Sequence, residues 1–226
     1  MHFNFKKIGW LFLSIITISV GLILIFNGHI KNEVVRQNQE AGLKSITKES
    51  IKKNKKKKGM FDYSKVKEID WKQVAESKQQ GGRRAYGIGA LSIPSVGMYL
   101  PIEKGLSNAN MSTGGCTMRA DQIMGKGNYP LAGHYMLNNG HILFSPLDHI
   151  RIGQRVYLTD MSKIYAYQVN MKKVVSPTAS WLVNNTSENI VTLITCADGG
   201  RMRLAVRGNL IGTAEATDQN LKAIGL

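Results

Sequence analysis

Apolar residues fall along this chain in three regimes. From Ile8 to Phe26 they run almost uninterrupted for nineteen residues, close to the ~20 that cross a bilayer as a helix. The following Asn27-Gly28-His29-Ile30-Lys31 lacks the small-residue site of a cleaved secretory leader, so the pattern predicts an uncleaved signal anchor over 8–26 behind a short head, 1–7. Residues 27–84 are mostly polar. Their helix formers between Glu33 and Glu49 carry only a sparse apolar pattern, and Gln79-Gln80-Gly81-Gly82 marks an end; the expectation is a partly helical stalk that stays out of the globular core. From residue 85 the pattern changes to short runs of β-branched and aromatic residues. Val96-Gly97-Met98-Tyr99-Leu100, Gln154-Arg155-Val156-Tyr157-Leu158-Thr159 and Lys163-Ile164-Tyr165-Ala166-Tyr167-Gln168-Val169 are predicted strands, separated by Gly, Asn, Asp and Ser clusters. Many short strands at this spacing favour a closed barrel or a sandwich, and the roughly 140 residues of 85–226 suffice for one core.

The most informative pair of strands lies near the end. Val191-Thr192-Leu193-Ile194-Thr195-Cys196 passes through Asp198-Gly199-Gly200 into Arg201-Met202-Arg203-Leu204-Ala205-Val206-Arg207, an apolar hairpin with a strong turn signal. If Asp198-Gly199 form a two-residue loop, Cys196 faces Arg201; if Gly199-Gly200 do, it faces Arg203. Either register puts both arginines and the thiol on one face, whereas a three-residue loop would face the sulfur with Met202 or Leu204. A cysteine is a good nucleophile only as thiolate, and neighbouring cations favour that form.

A cysteine nucleophile also needs a histidine near in space, at any sequence distance. Leu131-Ala132-Gly133-His134-Tyr135-Met136, just after Asn128-Tyr129-Pro130, offers one. Leu-Ala-Gly-His-x-Met, then Thr-Leu-Ile-Thr-Cys, then an arginine seven residues beyond the thiol closely resembles the class A sortases. Ile93-Pro94-Ser95-Val96, Leu100-Pro101-Ile102, Lys104-Gly105-Leu106-Ser107-Asn108 and Phe144-Ser145-Pro146-Leu147-Asp148 are similar to that family as well. The resemblance covers roughly residues 85–215, with the motifs in the family's order.

That resemblance implies an all-β fold, an eight-stranded sortase-type β-barrel with short helices, behind the N-terminal membrane helix and stalk. It implies a cysteine transpeptidase that cleaves a Leu-Pro-x-Thr-Gly sorting signal after threonine and joins the threonine carbonyl to an amine of the peptidoglycan precursor, lipid II, anchoring surface proteins. Carried onto this chain, Cys196 is the nucleophile, His134 the acid and base, and Arg203 the group that holds substrate and oxyanion. Arg201 and Arg207 compete for the last role; the run from Arg203 to Leu210 fits the family's arginine-led strand best. His141 and His149 flank Phe144-Ser145-Pro146-Leu147 but lack the Ala-Gly-His setting. Strand alternation puts Thr192 and Ile194 on the face of Cys196. By resemblance the groove there is closed by the segment Ser176 to Val183, so Val175, Pro177 and Leu182 are the expected leucine-proline pocket, with Ala132 beneath.

Two features depart from the family. Cys116, in Gly114-Gly115-Cys116-Thr117-Met118, stands where a small residue is expected; the reading is a buried small hydrophobe. Some class A members bind calcium through several carboxylates, but here the corresponding region offers Glu103, Asn108 and Asn110 and the long loop Glu188. The ion wants six to eight oxygens and balancing charge, so no metal, no calcium and no other cofactor is expected.

Charge adds partners and orientation. The chain carries a net +15. Residues 27–78 hold fourteen Lys/Arg against seven Asp/Glu, mostly beyond the stretch that sets membrane orientation; the function decides it, placing the amino terminus in the cytoplasm and the catalytic domain outside. The Lys52 to Lys58 run suits anionic lipid or wall polymer. Nucleic acid is the other reading of a basic chain, and the apolar span and the lack of aromatics among the lysines count against it. Three further readings stay open: a pilus-type sortase, a simple cysteine peptidase in which water resolves the thioester, and a non-enzymatic, membrane-tethered module that binds anionic wall polymers through its lysines.

Overall fold

A computed structural model describes residues 5–63, 66, 87–136 and 141–226. Eight strands close into a barrel in the order β1-β2-β3-β4-β7-β8-β6-β5. They are β1 (Gly87–Ile93), β2 (Met98–Glu103), β3 (Gly115–Thr117), β4 (Asn128–Ala132), β5 (Arg155–Thr159), β6 (Lys163–Val175), β7 (Ile190–Ala197) and β8 (Met202–Glu215). The expected barrel is present; β2–β3 and β4–β7 pair parallel, the other neighbours antiparallel.

Alternation explains which side chains fill the interior. Val191 and Leu193 of β7 and Leu204 and Val206 of β8 point inward, joining Leu91, Leu100, Ile102, Leu131, Val156, Leu158, Tyr167 and Val169 in one core with Phe144 and Leu147 of the β4–β5 connection. Thr192, Ile194 and Cys196 therefore lie on the outer face of β7. At Gly89 of β1 a side chain is impossible, because a Cβ there would lie 2.5 Å from the Thr159 carbonyl oxygen.

Strand bounds differ from the sequence reading where a turn intervenes. Pro94–Val96 forms a 3-10 turn and Gly97 takes a φ of 64°, so β2 begins only at Met98. β6 continues six residues past Val169 because β8 runs beside it from Lys163↔Glu215 to Val175↔Arg203, a ribbon whose mostly exposed far end carries little apolar signal.

The stalk expectation is corrected along its described part. α1 spans Phe5–Lys44 and α2 Lys48–Lys55. Val35 is fully buried in the barrel core, Gln39 donates to the Tyr99 carbonyl and accepts from Leu143 N–H, and Ile51 and Asn54 are buried, with the Asn54 amide donating to the Gly87 carbonyl. A sparse apolar pattern was enough, since one narrow stripe per helix suffices when a barrel wall is there to receive it. The lysine run is likewise ordered through Lys55: Thr47 and Ser50 form a reciprocal cap at the start of α2, leaving most of the lysines in solvent. Residues 67–84, including the Gln79-Gln80-Gly81-Gly82 boundary, lie outside the described residues.

α1 makes the apolar run 8–26 helical. Among the described residues no helix is long and apolar enough to cross a membrane, and the side chains of 22–26 lie outside the described set.

Candidate active site

Cys196 and Arg203 lie on the paired strands β7 and β8, and His134 lies just past the end of β4, the strand on the other side of β7. In the β7–β8 hairpin Cys196 pairs with Arg203 and Ala197 with Met202, the register expected if Gly199-Gly200 centre the turn. The loop is wider than two residues: Asp198, Gly199 and Gly200 all have positive φ, at 50°, 60° and 89°, and Arg201 N–H returns to the Asp198 carbonyl. Glycine at two of those positions removes the cost of that backbone.

On the other side β4 runs parallel to β7, with Ala132 level with Ile194. Gly133 N–H donates to the Ile194 carbonyl at 3.1 Å and the Thr195 hydroxyl donates to the Gly133 carbonyl at 2.8 Å, extending the register one residue past each paired position. His134 follows directly on the chain, past the end of β4, as Cys196 follows Thr195 on β7. Cys196 and Arg203, paired directly across β7 and β8, share a face about 5 Å apart, and with His134 one residue past the Gly133 tie they make a row of candidates. His134 is buried, at 9 % exposure, and its carbonyl accepts from Phe144 N–H; the thiol of Cys196 is partly open.

Arg203 is held by its own hairpin. One Nη1 donates to the Gly200 and Met202 carbonyls, at 2.7 and 2.9 Å. Nε donates to the Tyr63 hydroxyl at 3.1 Å, with the guanidinium carbon 5.8 Å from that ring's centroid. Of five N–H donors, the two on Nη2 carry no hydrogen bond among the described residues and form the end that can meet a substrate. Arg201 instead pairs with Asp198 at 2.7 Å with its side chain largely in solvent. Arg207 lies two pairs further along the same face, level with Thr192. His141 and His149 are exposed residues of the connection after β4, off this row.

The remaining candidates sit on the same wall. Leu182, Ile194 and Ala205 form a small apolar cluster flanked by Val175, Ala179 and Val183, so the β6–β7 loop does lie over the face expected. Val175 ends β6 opposite Arg203, Ala132 packs with Leu106, Met111 and Cys116, and Pro177 stands exposed on the loop. Thr192 is on the expected face but is fully buried, its hydroxyl taken by Asn128 and Arg207; it is part of the wall's hydrogen bonding, not open groove surface.

Cys116 is a second free thiol. It pairs with Ala132, which pairs with Ile194, so it stands two strands across and two residues back from Cys196. Two strand spacings alone are about 10 Å, beyond the 4.4–6.8 Å of a disulfide. Burial pushes the Cys116 thiol well up, and the nearby Glu103 carboxylate adds to that. A cavity of about 250 Å³ bounded by Lys55, Lys104, Arg119, Tyr129 and Tyr165 opens elsewhere and includes none of the three row residues. Among the described residues no group of three or more metal-ligating side chains converges.

Sequence reasoning missed Tyr63, Arg119 and Asn128. Tyr63 reaches Arg203 from 140 residues away, and Asn128 introduces an apolar strand whose polar first residue carries no signal by itself. Arg119 donates to the Val183 carbonyl and pairs with Asp121, holding its carboxyl below the usual carboxylate range.

Comparison with known proteins bears on the family and the fold. The sortase domain family matches residues 91–211. Sortase A of Streptococcus agalactiae serotype III (strain NEM316) is 37% identical over 99% of this chain and 94% of its own, and sortase A of Listeria monocytogenes serovar 1/2a is 37% identical over 81% and 82%. The solved Listeria monocytogenes sortase A is 38% identical, with a TM-score of 0.59 over 61% of this chain and 96% of that one. Barrel, ordered motifs and matches spanning nearly the whole chain have one explanation: the protein belongs to the sortase family, as a class A sortase.

Proposed function

We propose that the row His134, Cys196 and Arg203 carries out this sortase's transpeptidation, with a Leu-Pro-x-Thr-Gly peptide as donor. The Cys196 thiolate attacks the threonine carbonyl carbon; the carbonyl π electrons move onto oxygen, where the Arg203 Nη2 donors meet the negative charge. As the intermediate collapses, the C–N bond to glycine breaks and protonated His134 delivers its proton to the leaving amine. An acceptor amine then attacks the thioester, loses a proton to His134, and expels the thiolate. The amine of a peptidoglycan precursor such as lipid II is the acceptor that anchors a surface protein. Val175, Pro177, Leu182 and Ala132 line the approach of the leucine-proline end, around Ile194. The observation that supports this reading is the direct pairing of Cys196 with Arg203 across β7 and β8, together with the bonds that tie Gly133, the residue before His134, to Ile194 and Thr195.

The apolar helix over 8–26 serves as a single-pass membrane anchor with the amino terminus in the cytoplasm and the barrel outside, where the wall is. The exposed lysines of 52–58 attract anionic lipid or wall polymer, at about 1 kcal/mol each near a charged surface.

The test is to incubate the full chain in detergent with a Leu-Pro-x-Thr-Gly peptide, with and without an amine acceptor, and read products by mass spectrometry. An acyl adduct ending in threonine on Cys196, and a ligated product only when amine is present, is the expected result. A reaction that survives Cys196→Ala but stops with Cys116→Ala would overturn the assignment.

A further inference from the structure

Loops that cover a site normally leave their carbonyl groups to water. In the β6–β7 loop three successive carbonyls are taken by side chains from outside it. The Asn128 amide Nδ2 donates to the Leu182 and Asn184 carbonyls, both at 2.8 Å, and Arg119 Nη1 donates to the Val183 carbonyl between them at 3.3 Å. Only the NH₂ end of an amide can face two carbonyl oxygens, which fixes the orientation of Asn128. Its Oδ1 then accepts from the Thr192 hydroxyl at 2.8 Å, and Thr192 in turn accepts from Arg207 Nε at 3.2 Å. Arg207 completes the path by stacking over the ring of Trp181, 5.1 Å from its centroid, back on the same loop. Asn128 and Thr192 are both fully buried, so these bonds are shielded from water and each missing partner leaves a buried polar group unpaired.

What this network holds is Leu182, which is 3 % exposed and packs on Ile194 and Ala205. The seat of the loop on Ile194 and Ala205 follows from this network, with the asparagine at the start of β4 at its centre.

We propose that Asn128 is a positioning residue for substrate selectivity: by fixing the carbonyls on either side of Val183 it sets how Leu182 and the β6–β7 loop sit on Ile194 and Ala205, and so how the leucine of the sorting signal is held against them. This rests on the reading of Cys196 as the acyl-accepting thiol beneath that loop. Asn128 touches neither the sulfur nor the imidazole; it acts through Leu182. Loosening it therefore changes how substrate is held and leaves the chemical step alone.

The experiment uses the full chain in detergent and Leu-Pro-x-Thr-Gly peptides carrying Leu, Met or Val at the first position. Asn128→Ser is expected to raise KM for the leucine peptide about ten-fold, the equivalent of one net hydrogen bond, with kcat within about two-fold, and to narrow the preference for Leu over Val. The rate of Cys196 alkylation by iodoacetamide stays at the wild-type value. Thr192→Val, which keeps the shape and loses the hydroxyl, shifts KM in the same direction, and Thr192→Ser restores it. Unchanged KM and selectivity in Asn128→Ser, or a fall in kcat with KM fixed, overturns the proposal. If Asn128→Ser does not fold, the Thr192 pair decides: equal KM for the Val and Ser variants overturns it. A wild-type chain that forms no thioester with any of the peptides removes the proposed function itself, a result visible before any variant is made.

Discussion

Placing a methyl group on Gly133 is the most direct perturbation of the row that leaves its three functional groups in place. A Cβ on this residue would lie 2.3, 2.5 and 2.7 Å from Cδ1, Cγ and Cε1 of the Phe144 ring, against about 3.5–4.0 Å for carbon atoms in contact. Relief needs a movement of about 1 Å. The ring cannot supply it, because Phe144 is fully buried and already sits 3.0 Å from the position a Cβ would take on Gly115. The backbone of Gly133 must yield instead, and it is tied to β7 by its bonds to Ile194 and Thr195, Gly133 lying one residue before His134 and Thr195 one before Cys196. Overpacking of this kind costs about 1–3 kcal/mol, and at roughly 2–4 °C per kcal/mol for a chain of this size Gly133→Ala should melt roughly 5 °C lower. The larger effect is kinetic: a misplacement near 1 Å between reacting groups costs about 100-fold, so kcat/KM for peptide cleavage should fall by about that factor while the variant remains folded. Phe144→Leu in the Gly133→Ala background opens the space and should recover part of both losses, giving a coupling of about 0.5–3 kcal/mol in a double-mutant cycle. A Gly133→Ala enzyme with wild-type melting and wild-type kcat/KM, or a cycle with no coupling, would refute the reasoning.

Other outcomes follow from the same wall. Arg203→Lys keeps the charge but loses the planar fork whose Nη1 and Nε hold it to Gly200, Met202 and Tyr63; kcat should drop by about 100-fold or more, and a drop under three-fold would move the oxyanion role elsewhere. Cys116, its thiol pushed up by burial, favours the protonated form in the folded state, so iodoacetamide at pH 7 to 9 should add one adduct per chain, on Cys196. By the same sign the contribution of Cys116 to stability is complete at neutral pH and declines as pH rises above the ordinary thiol value of about 8.5; a second adduct on the folded chain at pH 8 would contradict this. Calcium addition or chelation should leave kcat/KM unchanged, because Glu103 and Glu188 are a poor oxygen set and the β3–β4 loop is joined to the β6–β7 loop by Arg119; a several-fold calcium activation would show a site not foreseen.

How much could be foreseen depended on distance along the chain. The Cys196–Arg203 pairing was legible to within two registers, since a hairpin turn relates residues seven apart through local geometry. Which register holds was not, because a loop of four residues with three positive φ values gives the same pairing as a two-residue turn at Gly199-Gly200. Thr192 was placed on the right face by alternation, yet its burial under Asn128 and Arg207 is invisible to alternation. The stalk was misjudged for the same reason: Val35 and Ile51 make a faint pattern alone and a firm contact only where a barrel surface awaits them.

By itself the amino-acid sequence determined the strand-forming segments, the apolar run at the amino end, the cysteine with its arginine strand, and the motif that carries the histidine, since period, turn chemistry and residue type are properties of neighbours in the chain. Only the tertiary structure decided that the strand leading to His134 runs beside the strand that ends in Cys196, that Cys116 cannot bridge to Cys196, and that Asn128 and Arg119 hold the covering loop. Those facts depend on parallel pairing between β4 and β7 across more than sixty residues, and parallel register is set by packing on both sides of the sheet, which no local pattern encodes.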